Sequence, residues 1–155
     1  MAKKANWIPE GYHAVTPYLT IRNAAKALEF YKKAFGAEEL TRMPGPGGSL
    51  MHAEIKIGDS IVMMGEEAPD RGQKSPQGLN GTPVGLFIYV KDVDKAFQRA
   101  ADAGAKAIMP VADMFWGDRY GQLEDPFGHR WSLGTHKEDL TPAEIEKRAQ
   151  AFFCK

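Results

Sequence analysis

The chain has one cysteine in 155 residues, Cys154, so no disulfide can form within it. It has no net charge either, because 20 Lys and Arg balance 20 Asp and Glu. An interspersed, neutral surface lacks the electrostatic footprint of a nucleic-acid or anionic-membrane binder, and neither partner is expected. No apolar run approaches the roughly 20 residues that cross a bilayer. Residues 1–11 (MAKKANWIPEG) lack the apolar core of a secretion signal, so a cytoplasmic location is expected. The sequence has no Walker or dinucleotide glycine loop, no CxxC and no HExxH. The glycine-rich residues 44–48 (PGPGG) lack the lysine and following helix of a phosphate cradle.

What is present is a repeat. Residues 120–124 and 129–133 read as two strands about the turn Asp125-Pro126-Phe127-Gly128, since a Pro/Gly tetrapeptide between alternating runs marks a hairpin. About seventy residues upstream, LMHAEIKI (50–57), Gly58-Asp59 and SIVMM (60–64) repeat the layout. Each hairpin is preceded by an amphipathic helix, 24–35 and 93–103, with apolar residues at three- and four-residue spacing. Asn23 and Asp92 stand at the capping positions, Gly36 and Gly104 at the ends. A β-rich run precedes each helix, at 12–21 and 85–90, with Pro17 marking the first as an edge or bulged strand. Strands are also expected at 38–43 and 105–110, and a final helix from Thr141, with Pro142 and Glu144 completing a capping pattern. The organisation expected is an arm at 1–11 and one domain at 12–136, followed by a helix and tail at 137–155. The domain holds two modules, about 12–66 and 83–136, joined by a linker at 67–82 that covers a pocket.

The runs VTPYLTIRNAAKALEFYKKAFGAEE, MHAEIKIGDS and FWGDRYG…DPFGHRWSL resemble the vicinal oxygen chelate superfamily of glyoxalase I, bleomycin-resistance proteins and extradiol dioxygenases, and within it the PhnB-like branch. The resemblance implies an α+β fold of two βαβββ repeats whose curved mixed sheets enclose a cleft, in one chain or across a homodimer. It also places the metal ligands of metal-dependent members at Thr16, at Val62 or Met63, at Gly85 and at Ser132. Those residues are no competent donor set for a divalent cation, which needs converging imidazole, carboxylate or thiolate groups, so no metal and no other cofactor is expected.

Alternation in 50–57 puts His52, Glu54 and Lys56 on one face and Met51, Ala53, Ile55 and Ile57 on the other. His52 and Glu54 are the candidate acid–base pair, and the same residues also suit cross-strand pairing on a wet face. The repeat register puts Tyr120, Gln122 and Glu124 on the matching face. Trp116 and Tyr120 could wall a pocket and Arg119 clamp an anion; alternatively Asp118 and Arg119 brace their loop as an ion pair. Tyr18, Met63 and Met64 complete the expected apolar lining. His129 reads as a turn brace, and His13 and His136 show no partner. Two functions follow: a protein holding a small organic ligand, or a lyase, isomerase or oxygenase working through a metal or through His52 and Glu54.

Overall fold

Positions 24, 27, 28, 31 and 34 fall on one stripe of a 3.6-residue helix, and in the computed structural model, which describes residues 5–154, all five are buried. This helix, α1 (Ala24–Phe35), lies on a sheet of β1 (Tyr18–Ile21), β2 (Glu38–Pro44), β3 (Leu50–Ile57) and β4 (Ser60–Glu66). The strand order is β1-β4-β3-β2, with β1 parallel to β4 and the other pairs antiparallel. Ile21, Leu28, Tyr31, Ala53, Ile55 and Met64 form the fully buried centre, and each large apolar side chain among them contributes about 1.5–3 kcal/mol.

The chain divides into two compact units, one up to Gly81 and one from Thr82. The second has β5 (Gly85–Tyr89), α3 (Val93–Ala103), β6 (Lys106–Asp113), β7 (Asp118–Glu124), β8 (Arg130–His136) and a terminal helix, Pro142–Phe153. Its sheet order, β5-β8-β7-β6, repeats the first, and Val93, Ala100, Leu123, Trp131 and Leu133 form its buried centre. Between β4 and β5 in chain order, residues 67–82 carry a short helix, α2 (Pro76–Leu79), capped by Ser75; the Pro142–Phe153 helix is therefore α4. Ser75 also donates to Glu67, which pairs with Arg22, so this connection is pinned to the first unit. No helix among the described residues is long and apolar enough to cross a membrane.

The register makes the repeat quantitative. Tyr18, Met63, Glu54 and Thr41 form one cross-strand row in the first sheet; Phe87, Ser132, Gln122 and Met109 form the same row in the second. Thr16 precedes Tyr18 by two residues, as Gly85 precedes Phe87.

Several details differ from the sequence reading. The first strand is only four residues long, because Pro17 cannot donate to the ladder; its carbonyl instead accepts from Met63 N. Asn23 does not cap α1 with its side chain. It adopts φ 66°, and the Glu66 carboxylate accepts from Asn23 N and Ala24 N. That anion at a helix N-terminus is stabilised by the free N–H groups and the helix dipole. Met51 has the parity of the buried face yet is 56% exposed. β2 pairs Met43 with His52 and Pro44 with Leu50, so Met51 is the extra residue of a bulge, and Leu50 rather than Met51 is buried. The brace of the second hairpin turn is Asp125, whose carboxylate accepts from Phe127 N, His129 N and Trp131 Nε1.

Gly65 is required by a close approach: a Cβ there would lie 2.7 Å from the Met51 carbonyl oxygen and 2.7 Å from Tyr18 Oη. Gly65→Ala is expected to destabilise the protein by about 1–3 kcal/mol in urea melts, through overpacking against backbone. A variant as stable as the parent would show that β3 and β4 yield freely at this end.

Candidate functional site

On the uncovered face of the first sheet, the alternation of β3 brings His52 and Glu54 together, with His52 Nε2 3.1 Å from Glu54 Oε1. Tyr18 Oη lies 3.3 Å from His52 Nδ1. Tyr12, from the segment before β1, donates its hydroxyl to Glu54 Oε2. An ionised carboxylate only accepts, so Glu54 sets the imidazole tautomer: the proton sits on Nε2, and Nδ1 is left to accept from Tyr18. The Tyr12 hydrogen bond, followed by that of His52, holds the Glu54 carboxyl below the usual carboxylate range, and Glu54 in turn raises the Tyr12 phenol. The four side chains form a chain of protic groups beside Met63, which pairs with both Tyr18 and Glu54.

The equivalent face of the second sheet has the same geometry and different chemistry. The Tyr18–His52 ring contact at 5.6 Å is matched by Phe87–Tyr120 at 5.6 Å. Tyr89 stands 4.7 Å from Phe87, and Trp116 meets Tyr120 edge-on at 5.4 Å. Phe87 is 44% and Tyr89 65% exposed, so this aromatic row faces outward. Its polar points are the Tyr120 and Ser132 hydroxyls, 2.9 Å apart, and the buried Asp118 carboxylate. Asp118 accepts from Tyr89 Oη and Trp116 Nε1 and meets His136 Nδ1 at 2.7 Å.

Tyr18, Met63, Tyr120 and Gln122 thus lie on the faces of their own sheets opposite the helices, and Trp116, in the turn between β6 and β7, stands beside Tyr120. Arg119 does not lie with Tyr120 and Gln122. One residue out of phase on β7, it turns to the helix side and is held by Asp94 of α3 at 2.7 and 2.8 Å and by Asp113 at 3.1 Å. The expected Asp118–Arg119 pair is replaced by these contacts. Met64, expected to line a pocket, is fully buried between Leu19 and Ala53. Sequence reasoning missed Phe87 and Tyr89, although period-2 alternation in GLFIY would have placed them with Gly85. Tyr12 and the Asp118–His136 pair had no sequence signal, since their partners lie 42 and 18 residues away.

The sequence profile of the Glyoxalase/Bleomycin resistance protein/Dioxygenase superfamily matches residues 12–133. The chain belongs to this superfamily. An uncharacterised protein of Mycobacterium tuberculosis (strain H37Rv) is 47% identical over 136 residues, covering 86% of this chain and 80% of that one. Among solved structures, a PhnB protein from Bacillus cereus superposes with TM-score 0.62 at 18% identity, covering 79% of this chain and 99% of its own, and so shares the fold. A variant of the fosfomycin resistance protein FosX from Listeria monocytogenes superposes with TM-score 0.62 at 20% identity, covering 88% and 97%. That structure holds Mn(II) and 1S,2S-dihydroxypropylphosphonic acid. In the present superfamily member, the positions that the resemblance assigns to metal ligands are Thr16 with Met63 in the first unit and Gly85 with Ser132 in the second; Val62 is buried on the helix side. Among the described residues, no group of three or more His, Cys, Asp or Glu side chains is arranged to hold a metal ion.

Because the folded-state pKa of Glu54 is depressed, its stabilising effect is present above about 4.5, the ordinary carboxyl value, and is lost as pH falls through the lower folded value. Tyr12→Phe is expected to move the Glu54 titration, followed by carbon-13 NMR, back toward that ordinary value. It should destabilise the protein by about 1 kcal/mol at pH 7, with the gap to the parent closing in acid. An unmoved Glu54 titration would show that Tyr12 contributes nothing to the site.

Proposed function

We propose that this protein binds a small, flat organic ligand against the aromatic face formed by Phe87, Tyr89, Trp116 and Tyr120, without the superfamily's metal. One observation carries this reading: a row of large rings lies outward on a sheet face, flanked by a few fixed polar groups, where a soluble protein would otherwise bury them. Tyr120, Ser132 and Gln122 supply the hydrogen-bonding points that would orient a ligand on this face. A small-molecule complex of FosX on the same fold supports a ligand-binding role. The metal-free part of the proposal rests on the chemistry of the donor positions. Thr and Ser hydroxyls are weak ligands, and Met and Gly side chains offer a hard cation nothing. A homodimer belongs to the proposal; the exposed Leu40 and Met43 of the edge strand β2 and the neighbouring Met51 support it.

A second reading is favoured by the Tyr12–Glu54–His52–Tyr18 chain. With its tautomer fixed by Glu54, the Nδ1 of His52 is a base in hydrogen-bond reach of an exposed phenol, so the first sheet face suits acid–base catalysis by His52 and Glu54.

The uncharged fluorophore N-phenyl-1-naphthylamine tests the first reading. Saturable binding is expected, weakened about tenfold by Phe87→Ala or Tyr89→Ala. Affinity unchanged in both variants would refute the aromatic-face reading. Elemental analysis after exposure to zinc, nickel, manganese and iron(II) is expected to give below about a tenth of an equivalent, and a value near one equivalent per chain would refute the metal-free part.

A further inference from the structure

His136 closes β8 between two carboxylates. Its Nδ1 lies 2.7 Å from Asp118 Oδ1, and its Nε2 lies 2.8 Å from Asp139 Oδ1. Ionised carboxylates only accept, so both contacts are hydrogen bonds only when both ring nitrogens carry protons. The two partners are unlike: Asp118 is 4% exposed and anchored by Tyr89 and Trp116, whereas Asp139 stands in full solvent.

Asp139 belongs to a strap, residues 137–141, that runs from β8 to α4. The strap lies directly on the aromatic loop, where Lys137 N and Glu138 N both donate to the Gly117 carbonyl, at 2.9 and 3.0 Å. Gly117 has φ +99°, and a Cβ on it would lie 2.6 Å from the Glu138 oxygen. Glu138 holds Arg148 of α4 through two contacts of 2.7 and 3.1 Å. At the far end of α4, Phe152 and Phe153 lean on Phe115, with ring centroids 5.5 and 5.8 Å away, and Phe115 meets Trp116 edge-on at 5.1 Å. Asp118, Lys137 and Glu138 also line a depression of about 310 Å³.

We propose that His136 is a protonation-operated clasp at the edge of the aromatic face. As an imidazolium it ties the strap to Asp118; as a neutral imidazole it keeps its one proton toward buried Asp118 and releases Asp139. The order of release follows from solvation, because Asp139 freed into water is fully hydrated, whereas a buried carboxylate losing a donor is not. The charged and titratable groups around the ring are Asp118 from β7, Tyr89 from β5, and Lys137, Glu138 and Asp139 from the strap. Asp113 of β6 is held by Arg119, and Arg148 of α4 by Glu138. The Asp139 and Asp118 hydrogen bonds raise His136 above its usual 6.5. A raised value means that the clasp is fully closed below 6.5 and opens as pH rises through the higher folded value.

The consequence for ligands rests on the aromatic-face reading: with the strap tied down, Phe152 and Phe153 extend the wall beyond Trp116 through Phe115. Three measurements between about pH 6 and about pH 9 test the clasp: nitrogen-15 NMR of the His136 ring, exchange of the Lys137 and Glu138 amides corrected for intrinsic rates, and affinity for N-phenyl-1-naphthylamine. Protection of the two amides is expected to fall with the same midpoint as the His136 titration, and probe affinity to weaken about two- to fivefold, in line with a solvent-exposed ion pair. Asp139→Ala, which removes an exposed acceptor from a non-helical segment, should show the loosened strap already at pH 6, and His136→Gln should abolish the pH dependence. Amide protection that ignores the His136 midpoint, or that survives Asp139→Ala unchanged at pH 6, would overturn the clasp. If the strap follows His136 but the probe binds at no pH, the clasp stands and the ligand reading fails.

Discussion

The register of the two central antiparallel pairs, β3 with β4 and β7 with β8, is the constraint on which the rest of this structure depends. Side chains alternate across a strand, so a slip of one residue would exchange the whole set that faces the helix for the set that faces outward. Ala53, Ile55 and Met64 fix the first register by burial under α1, and Leu123, Trp131 and Leu133 fix the second under α3. The outward positions of His52, Glu54, Tyr120 and Gln122 are consequences of that burial. Arg119 shows the same rule working against a guess from composition: an arginine one place from a tyrosine of the outward face belongs to the helix side and is neutralised there.

Duplication lets one scaffold present two chemistries. Row for row, Tyr18, Met63 and Glu54 correspond to Phe87, Ser132 and Gln122, and the ring pairs Tyr18–His52 and Phe87–Tyr120 stand at the same separation. In the first unit that geometry holds a hydrogen-bonded chain with a depressed carboxyl; in the second it holds an aromatic row with a buried aspartate at its end. Both sheets also put a glycine beneath the ring of the parallel neighbour, Gly65 under Tyr18 and Gly134 under Phe87, where a Cβ would come within 2.7 and 2.8 Å. The fold is thus constant while the side chains on its open faces diverge, which is how one superfamily scaffold serves unrelated ligands.

The elements were legible because they are local. The helix bounds 24–35 and 93–103 follow from periodicity and terminating glycines, the Thr141 capping box from three adjacent residues, and the hairpins from their turns. The uncovered position of His52 and Glu54 was legible for the same reason, as a period-2 pattern inside one strand. What could not be read were contacts between residues distant in sequence: Tyr12 on Glu54, His136 on Asp118, and Glu66 capping α1 in place of Asn23.

The sequence by itself determined the βαβββ repeat and the family, since hydrophobic period, turn residues and caps act over a few neighbouring positions. Only the tertiary structure decided which polar groups meet. It turned Arg119 into a helix anchor, put Met51 outward in a bulge, closed the Tyr12–Glu54–His52–Tyr18 chain and set His136 between two carboxylates. Hydrogen bonds and ion pairs depend on angstrom-level positions of atoms brought together by long loops, and no pattern along the chain encodes those distances.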